Sequence, residues 1–246
     1  MKRILLGLVF LSALIIGRAQ GTDSTGTSSW KKFDFSNRAN DHFMLQYGLD
    51  GWSTQDSTSP SGFSRHFNFY FMLDKPFKNN PHLSTGYGLG IGSSNIFFKN
   101  TFINLKSQTS TLPFVDVSTS SVNHYSKFKL TTLFVEVPLE LRYAADPVTP
   151  DRGLKASAGI KLGYLINAYT KGKDALDAAG NTIYGPTFKE KEYDTRFINH
   201  TRVAITGRLG IGVFSIDFSY QVTNFLKANT GPNIYPYSVG LTLSGL

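Results

Sequence analysis

The stretch from Thr131 to Tyr143 alternates without a break: Leu133, Val135, Val137, Leu139, Leu141 and Tyr143 are apolar, while Thr132, Glu136, Glu140 and Arg142 stand between them. Side chains of a β-strand point alternately to its two faces, so a period of two over this length dictates a strand with one greasy and one ionic face. Such a strand is equally at home in a soluble sandwich, apolar face inward, or in a membrane-spanning barrel, apolar face outward. The surrounding strands decide between the two.

The same alternation recurs along the chain. Phe43, Leu45, Tyr47 and Leu49 oppose His42, Gln46, Gly48 and Asp50, and Phe67, Phe69, Phe71 and Leu73 oppose His66, Asn68, Tyr70 and Met72. Leu83, Thr85, Tyr87, Leu89 and Ile91 then oppose Ser84 and four glycines, Gly86, Gly88, Gly90 and Gly92. A wall of glycine predicts a narrow space crowded by side chains from elsewhere. It does not predict a phosphate-binding loop, which needs a helix N-terminus behind it. Ala156, Ala158, Ile160, Leu162, Tyr164 and Ile166 face away from Lys155, Ser157, Gly159, Lys161, Gly163 and Asn167. Val203, Ile205 and Leu209 oppose Arg202, Thr206 and Arg208; Phe214, Ile216, Phe218 and Tyr220 oppose Ser215, Asp217, Ser219 and Gln221; Tyr237, Val239, Leu241 and Leu243 oppose Ser238, Gly240, Thr242 and Ser244.

This makes about eight strands, an even number, joined by connections that alternate long and short, as in outer-membrane barrels. The long ones run Ser53–Gly62, Asn95–Lys127, Lys171–Tyr193 and Thr223–Ile234, the last of medium length. The predicted fold is all-β, a transmembrane antiparallel up-and-down β-barrel over residues 41–246, with the long loops extracellular and both termini periplasmic. Aromatic residues make up 14% of the chain, and Tyr47, Trp52, Tyr143, Tyr164, Tyr220 and Tyr237 fall near strand ends, where a membrane-interface girdle needs them.

The N-terminus supplies an address. Lys2 and Arg3 precede an apolar run from Ile4 to Ile16, and Gly17-Arg18-Ala19 offers small residues for cleavage, so residues 1–19 read as a cleaved signal peptide. Residues 20–40 are rich in Gly, Ser and Thr and read as a flexible periplasmic segment. The chain has no cysteine, which excludes a disulfide framework, a thiol nucleophile and an acylated anchor. Removal of Lys2, Arg3 and Arg18 with the signal lowers the net charge from +8 to +5. A basic protein exported to the outer membrane of a Gram-negative bacterium is drawn to lipid and lipopolysaccharide phosphates. Nucleic acid is not an expected partner, because no basic cluster with interleaved aromatics is present.

With the apolar faces toward lipid, Glu136, Glu140, Arg142, Lys155, Lys161, Arg202, Arg208 and Asp217 must share the lumen. Unpaired, they would be costly there, so a charge network is expected, with Glu136 beside Lys161, Glu140 near Lys155 and Asp217 near Arg208. A filled interior is the expectation for eight strands, and a conducting path the alternative. In the loops, Phe97, Phe98, Phe102, Phe114, Tyr125, Tyr184 and Phe188 are candidates for partner contact, or else pack together to cap the barrel. His42, His66, His82, His124 and His200 show no triad or metal-ligand spacing, although His66 and His200 lie where they could meet Asp50 or Asp194. No catalytic residue, metal or cofactor is therefore expected.

The run Phe134-Val135-Glu136-Val137-Pro138-Leu139-Glu140-Leu141-Arg142-Tyr143, with Gly159-Ile160-Lys161-Leu162-Gly163-Tyr164 and the glycine-rich third strand, resembles the PorT-like outer-membrane β-barrel proteins of the Bacteroidota. The resemblance implies a structural or accessory subunit of an envelope assembly, and one branch of that family serves type IX protein secretion. It carries no catalytic residue across. A small transport barrel and a barrel enzyme acting on lipid or peptide are the competing functions.

Overall fold

The computed structural model describes residues 42–54, 60, 63–118, 123–150 and 152–245. The signal peptide and the periplasmic segment expected over residues 1–40 lie outside the described residues, as does Asp41. In chain order the strands are β1 (Phe43–Thr54), β2 (Arg65–Pro76), β3 (Leu83–Phe98), β4 (Thr101–Ile103), β5 (Phe114–Asp116), β6 (His124–Ala144), β7 (Leu154–Leu176), β8 (Lys189–Tyr193), β9 (Thr201–Ile211), β10 (Phe214–Gln221) and β11 (Ile234–Ser244).

Eight of these form the wall. Strand order runs β6-β3-β2-β1-β11-β10-β9-β7, and β6 pairs with β7 to close the ring. All neighbours are antiparallel, and sequential strands are adjacent. The first and last strands meet along eleven residue pairs, from Met44 opposite Ser244 to Thr54 opposite Ile234. Closure removes the sheet edges that an open antiparallel sheet would leave unpaired.

The orientation of the stripes settles sandwich against barrel. Leu89, Leu209, Ile216 and Leu241 are 58–63% exposed, whereas Glu136 is 0% and Asp217 4% exposed. Apolar residues thus face outward and ionic residues inward, the reverse of a soluble protein and the arrangement that a hydrocarbon surround requires.

Two of the expected long loops are partly strand. β3 continues to Phe98, β6 begins at His124, and β4 and β5 pair as a small hairpin between them, so strand pairing reaches into the segment Asn95–Lys127 from both ends and recurs in its middle. Likewise β7 runs to Leu176 and pairs with β8 through Lys173, so both ends of Lys171–Tyr193 are sheet and the loop proper lies between them. A register shift between Leu133 and Phe134 places one extra residue, Ile166, in β7. Below that bulge the even-numbered residues of β7 face out; above it the odd-numbered ones do, since Ala168, Thr170 and Gly172 turn inward. The strict alternation breaks there, which is why the strand reads from sequence as ending near Asn167.

Candidate functional site

The lumen is filled by side chains whose spacing follows from the register. Tyr70, Gly90, Glu136, Gly163 and Arg202 occupy one row across five adjacent strands. Each large side chain in that row is separated from the next by a glycine. A Cβ at Gly163 would lie 2.7 Å from Arg202 Cγ, so the arginine lies flat over this glycine to reach Glu136. There the Arg202 guanidinium forms an ion pair with the Glu136 carboxylate, the Tyr70 hydroxyl donates to its other oxygen, and Lys161 Nζ stands 3.6 Å from Glu136 Oε2. The expected pairing of Glu136 with Lys161 is present, with Tyr70 and Arg202 added to it.

Toward the short-turn end, Glu140 Oε2 accepts from Arg142 Nε at 2.9 Å and from Arg208 Nη2 at 2.6 Å. The expected Glu140–Lys155 neighbour relation does not hold. Lys155 is the cross-strand partner of Ala144, four residues from Glu140, and its Nζ donates to Ser244 Oγ at 2.8 Å. Arg208 instead reaches over β7 from β9, because its own row neighbour on β7 is the small Ser157. Arg142 also lies 3.7 Å from Asp74, which accepts from Ser84 Oγ at 2.6 Å. Asp217 and Arg208 are cross-strand partners as expected, and Asp217 accepts from Thr242 Oγ1 at 2.8 Å. The same threonine receives Gln46 Nε2 at 3.0 Å, and Gln46 Oε1 receives Asn68 Nδ2 at 3.1 Å.

Among the described residues, five carboxylates, Asp50, Asp74, Glu136, Glu140 and Asp217, therefore share the interior with five cations, Arg142, Lys155, Lys161, Arg202 and Arg208. Matching numbers matter more here than on a surface, because an uncompensated charge in a dry lumen costs several kcal/mol, roughly 3–5 when one partner of a buried pair is lost. Sequence reading by adjacent strands missed Tyr70, Asp50 and Asp74. The signal that would have found Tyr70 is the glycine on either side of Glu136 in its row.

Near the long-loop end, His66 Nδ1 and Asp50 Oδ1 are 2.7 Å apart and buried, and Ser94 Oγ donates to the other Asp50 oxygen. The aspartate thus lies between histidine and serine. A nucleophilic serine requires the imidazole in that central place, so this trio is a structural link and not a hydrolase triad. It borders a void of about 40 Å³ whose lining includes Lys161, Arg202, Asn68 and Gln221. Two further voids, of about 30 and 10 Å³, are lined by Arg142, Ser157 and Arg208 and by Tyr70, Glu140 and Lys161. Each holds no more than a few water molecules, at about 10–15 Å³ apiece. Among the described residues no group of His, Asp and Glu is arranged to hold a metal.

Above the ionic filling lies an apolar cap. Trp52, Ile96, Phe98, Ile103, Leu105, Leu112, Phe128 and Leu130 form one buried cluster with Phe134, Leu165, Ala168, Phe197, Ile198, Phe225, Leu226 and Ile234. Arg202 joins the two layers, its guanidinium 4.2 Å from the Phe134 ring centroid. Arg196 ties the loops together by donating to the carbonyls of Ser107 at 2.9 Å and Thr109 at 2.8 Å. The seven aromatic loop candidates divide accordingly. Phe97 and Phe98 lie on β3 and Tyr125 on β6, not in loops; Phe98 is part of the cap, and Phe102, Phe114 and Tyr125 pack against it. Tyr184 and Phe188 remain outside, their rings 4.8 Å apart, with Tyr184 69% exposed. Phe97 lies between the cations of Arg65 and Lys129, each 5.6 Å from its centroid.

The expected girdle needs one correction. Tyr47, Tyr143, Tyr164 and Tyr237 are exposed on the outer wall and Tyr220 is half-buried, but Trp52 is buried in the cap, 5.5 Å from Phe98 and 5.3 Å from Phe225. β1 carries it above the lumen, on the inward face.

A closed antiparallel ring with an apolar outer band, an ion-paired filling and a capped end defines an outer-membrane-type β-barrel with an occluded lumen. The chain belongs to the outer membrane protein beta-barrel domain family, whose model matches residues 19–227. Among solved structures, Ail, the attachment invasion locus protein of Yersinia pestis, in complex with the heparin analogue sucrose octasulfate, is 10% identical, with 82% of this chain and 96% of that one covered at a TM-score of 0.30. A mutant of the Rh. blastica porin is 8% identical, with 82% and 99% covered at a TM-score of 0.19. Overlaps this loose carry no weight here. No curated protein matches the chain.

Proposed function

We propose that this protein is a non-enzymatic outer-membrane barrel that serves as a structural or accessory subunit of an envelope assembly. The observation that carries this reading is the double closure of the lumen, by the Tyr70–Glu136–Arg202 row and by the apolar cap above it. A barrel so filled has little to offer as a passage and much as a rigid mount. Its outward features are the Tyr184–Phe188 ring pair, half-buried at Phe188 and exposed at Tyr184, and the lattice of strands that holds it. The resemblance of the β6 motif to PorT-like proteins of the Bacteroidota supports a secretion-related assembly, of which the type IX system is the instance that family suggests. In this reading the outer wall is anchored by lipid and lipopolysaccharide, the long loops are extracellular and the termini periplasmic.

Three measurements test it. Cross-linking and copurification from native membranes is expected to recover a stoichiometric envelope protein, and a Tyr184→Ala/Phe188→Ala variant to lose it; a lone barrel in both samples refutes the subunit role. Planar bilayers are expected to show no steady conductance, and stable unitary steps would favour the permeability alternative. Because the chain lacks cysteine, Gln108→Cys and Lys78→Cys report orientation directly. A membrane-impermeant maleimide is expected to label the first and not the second in intact cells.

A further inference from the structure

The three-stranded extension of β6, β7 and β8 carries an unusual charge arrangement. Lys127 pairs with Lys173, which pairs with Lys189; Lys129 pairs with Lys171, which pairs with Lys191. Cross-strand partners share a face, so the register builds two rows of three lysines on one side of the sheet. Neighbouring strands are about 4.8 Å apart and alternate residues about 6.8 Å, so the six Cα atoms fall in a field of roughly 10 by 7 Å.

That side is the outer one. Phe128 and Leu130, which separate and follow these lysines on β6, are buried in the cap, and Thr170 and Gly172 on β7 are buried too. The interleaved acids of β8 do not neutralise the field. Glu190 turns to the inner side, where the Tyr125 hydroxyl donates to it, and Glu192 follows the same parity. Among the described residues none of the six lysines forms an ion pair with a carboxylate. Like charges directly opposite each other destabilise a sheet, so six of them unopposed mark a surface shaped for something other than stability.

The position of the field identifies its ligand. One step below it, Tyr169 and Tyr193 are cross-strand partners with rings 5.1 Å apart, and Lys191 Nζ stands 5.3 Å over the Tyr169 ring. Below these on β7 lies Tyr164, 60% exposed, and then the apolar band. From membrane to solvent the same outward stripe therefore reads apolar, aromatic, basic. Aromatic rings seat at the headgroup level, and lysines two and four residues beyond Tyr169 stand about 7 and 14 Å further along the strand. Arg65, whose guanidinium shares the Phe97 ring with Lys129, extends the basic face toward β2.

We propose that this lysine field is a binding site for the phosphate groups of a glycolipid seated in the surrounding leaflet, of the bis-phosphorylated lipid A type. A soluble polyanion would need no aromatic belt beneath it and no alignment with the acyl-facing stripe. The site rests on the outward placement of the long loops proposed above, but its binding test does not depend on the direction of insertion, so the two fail separately.

The test uses the full mature chain in phosphatidylcholine nanodiscs containing bis-phosphorylated lipid A, enzymatically dephosphorylated lipid A, or neither, with affinity read by native mass spectrometry. Wild type is expected to retain the phosphorylated lipid and not the dephosphorylated one. Lys129→Gln/Lys171→Gln/Lys191→Gln is expected to weaken retention about a hundredfold, at about 1 kcal/mol for each lysine near the surface and 1.4 kcal/mol for each tenfold. Lys75→Gln/Lys78→Gln, at the other end of the barrel, is expected to leave it unchanged. Equal retention by wild type and by the variant lacking all six lysines overturns the proposal, as does equal binding of dephosphorylated lipid A. Inorganic polyphosphate binding as tightly as the lipid would assign the field to a soluble polyanion instead.

Discussion

Glu136 is the group on which the lumen's charge balance turns, and Glu136→Gln isolates that role. The substitution keeps the volume and one acceptor for Tyr70 but removes the negative charge that faces Arg202 and Lys161, while Glu136 itself is 0% exposed. Breaking a buried ion pair from one side costs about 3–5 kcal/mol, most of it the penalty of leaving the partner charge dry and alone. With a urea dependence of about 2 kcal/mol per molar, the unfolding midpoint should fall by about 1.5–2.5 M. The chain contains two tryptophans, Trp30 and Trp52, so a Trp30→Phe background leaves Trp52 in the cap as the reporter. Unfolding followed by its fluorescence in lipid vesicles measures the midpoint. Adding Lys161→Met to Glu136→Gln removes one stranded cation and is expected to restore the larger part of the loss. A midpoint within about 0.25 M of wild type, which is about 0.5 kcal/mol and the scale of a surface substitution, would refute the reasoning. So would a double variant no more stable than the single one.

Other consequences follow from the same geometry. Gly92→Ala would place a Cβ 2.6 Å from Glu136 Oε2 and is expected to cost about 1–3 kcal/mol by overpacking, read in the same urea assay. Trp52→Ala empties the centre of the cap and is expected to cost about 3–5 kcal/mol, with a mutant midpoint measured by loss of heat-modifiable mobility on gels. Asp177, in the turn that follows β7, accepts the backbone N–H groups of Asn181 at 2.8 Å and Ala179 at 2.9 Å, and these bonds hold its carboxyl below the ordinary value of 3.8. Because the folded value is the depressed one, the turn's stabilisation is present above 3.8 and is lost as the pH falls through the folded value; carboxyl titration by NMR is expected to give a midpoint below 3.8.

The membrane-spanning parts of the strands were legible because hydrocarbon on one side and packed polar groups on the other enforce a period of two. Phe67, Phe69 and Phe71 against His66, Asn68 and Tyr70 leave no other reading. Above the membrane that contrast vanishes. Lys127, Lys129, Lys171 and Lys173 take over the outward positions, while Phe98, Phe128 and Leu130 fill the inward ones, so the polarity of the two faces inverts and strands look like polar loops with stray aromatics. Ile166 compounds this, since one extra residue exchanges the faces of β7 in mid-strand. Within the lumen, membership was readable from parity, but partners were not. Arg202 reaches Glu136 and Arg208 reaches Glu140 across an intervening strand, and only the small residues at Gly163 and Ser157 betray that these long side chains lie across β7.

The meeting of β1 with β11 makes the two ends of the wall into a clasp. Gln46 bonds Thr242 across a sequence separation of 196. Without β11 the edges of β1 and β10 that it covers would be left unpaired. Ring closure is therefore the pairing of greatest sequence separation in the wall, and the loop-closure entropy it requires makes it the slow contact to form.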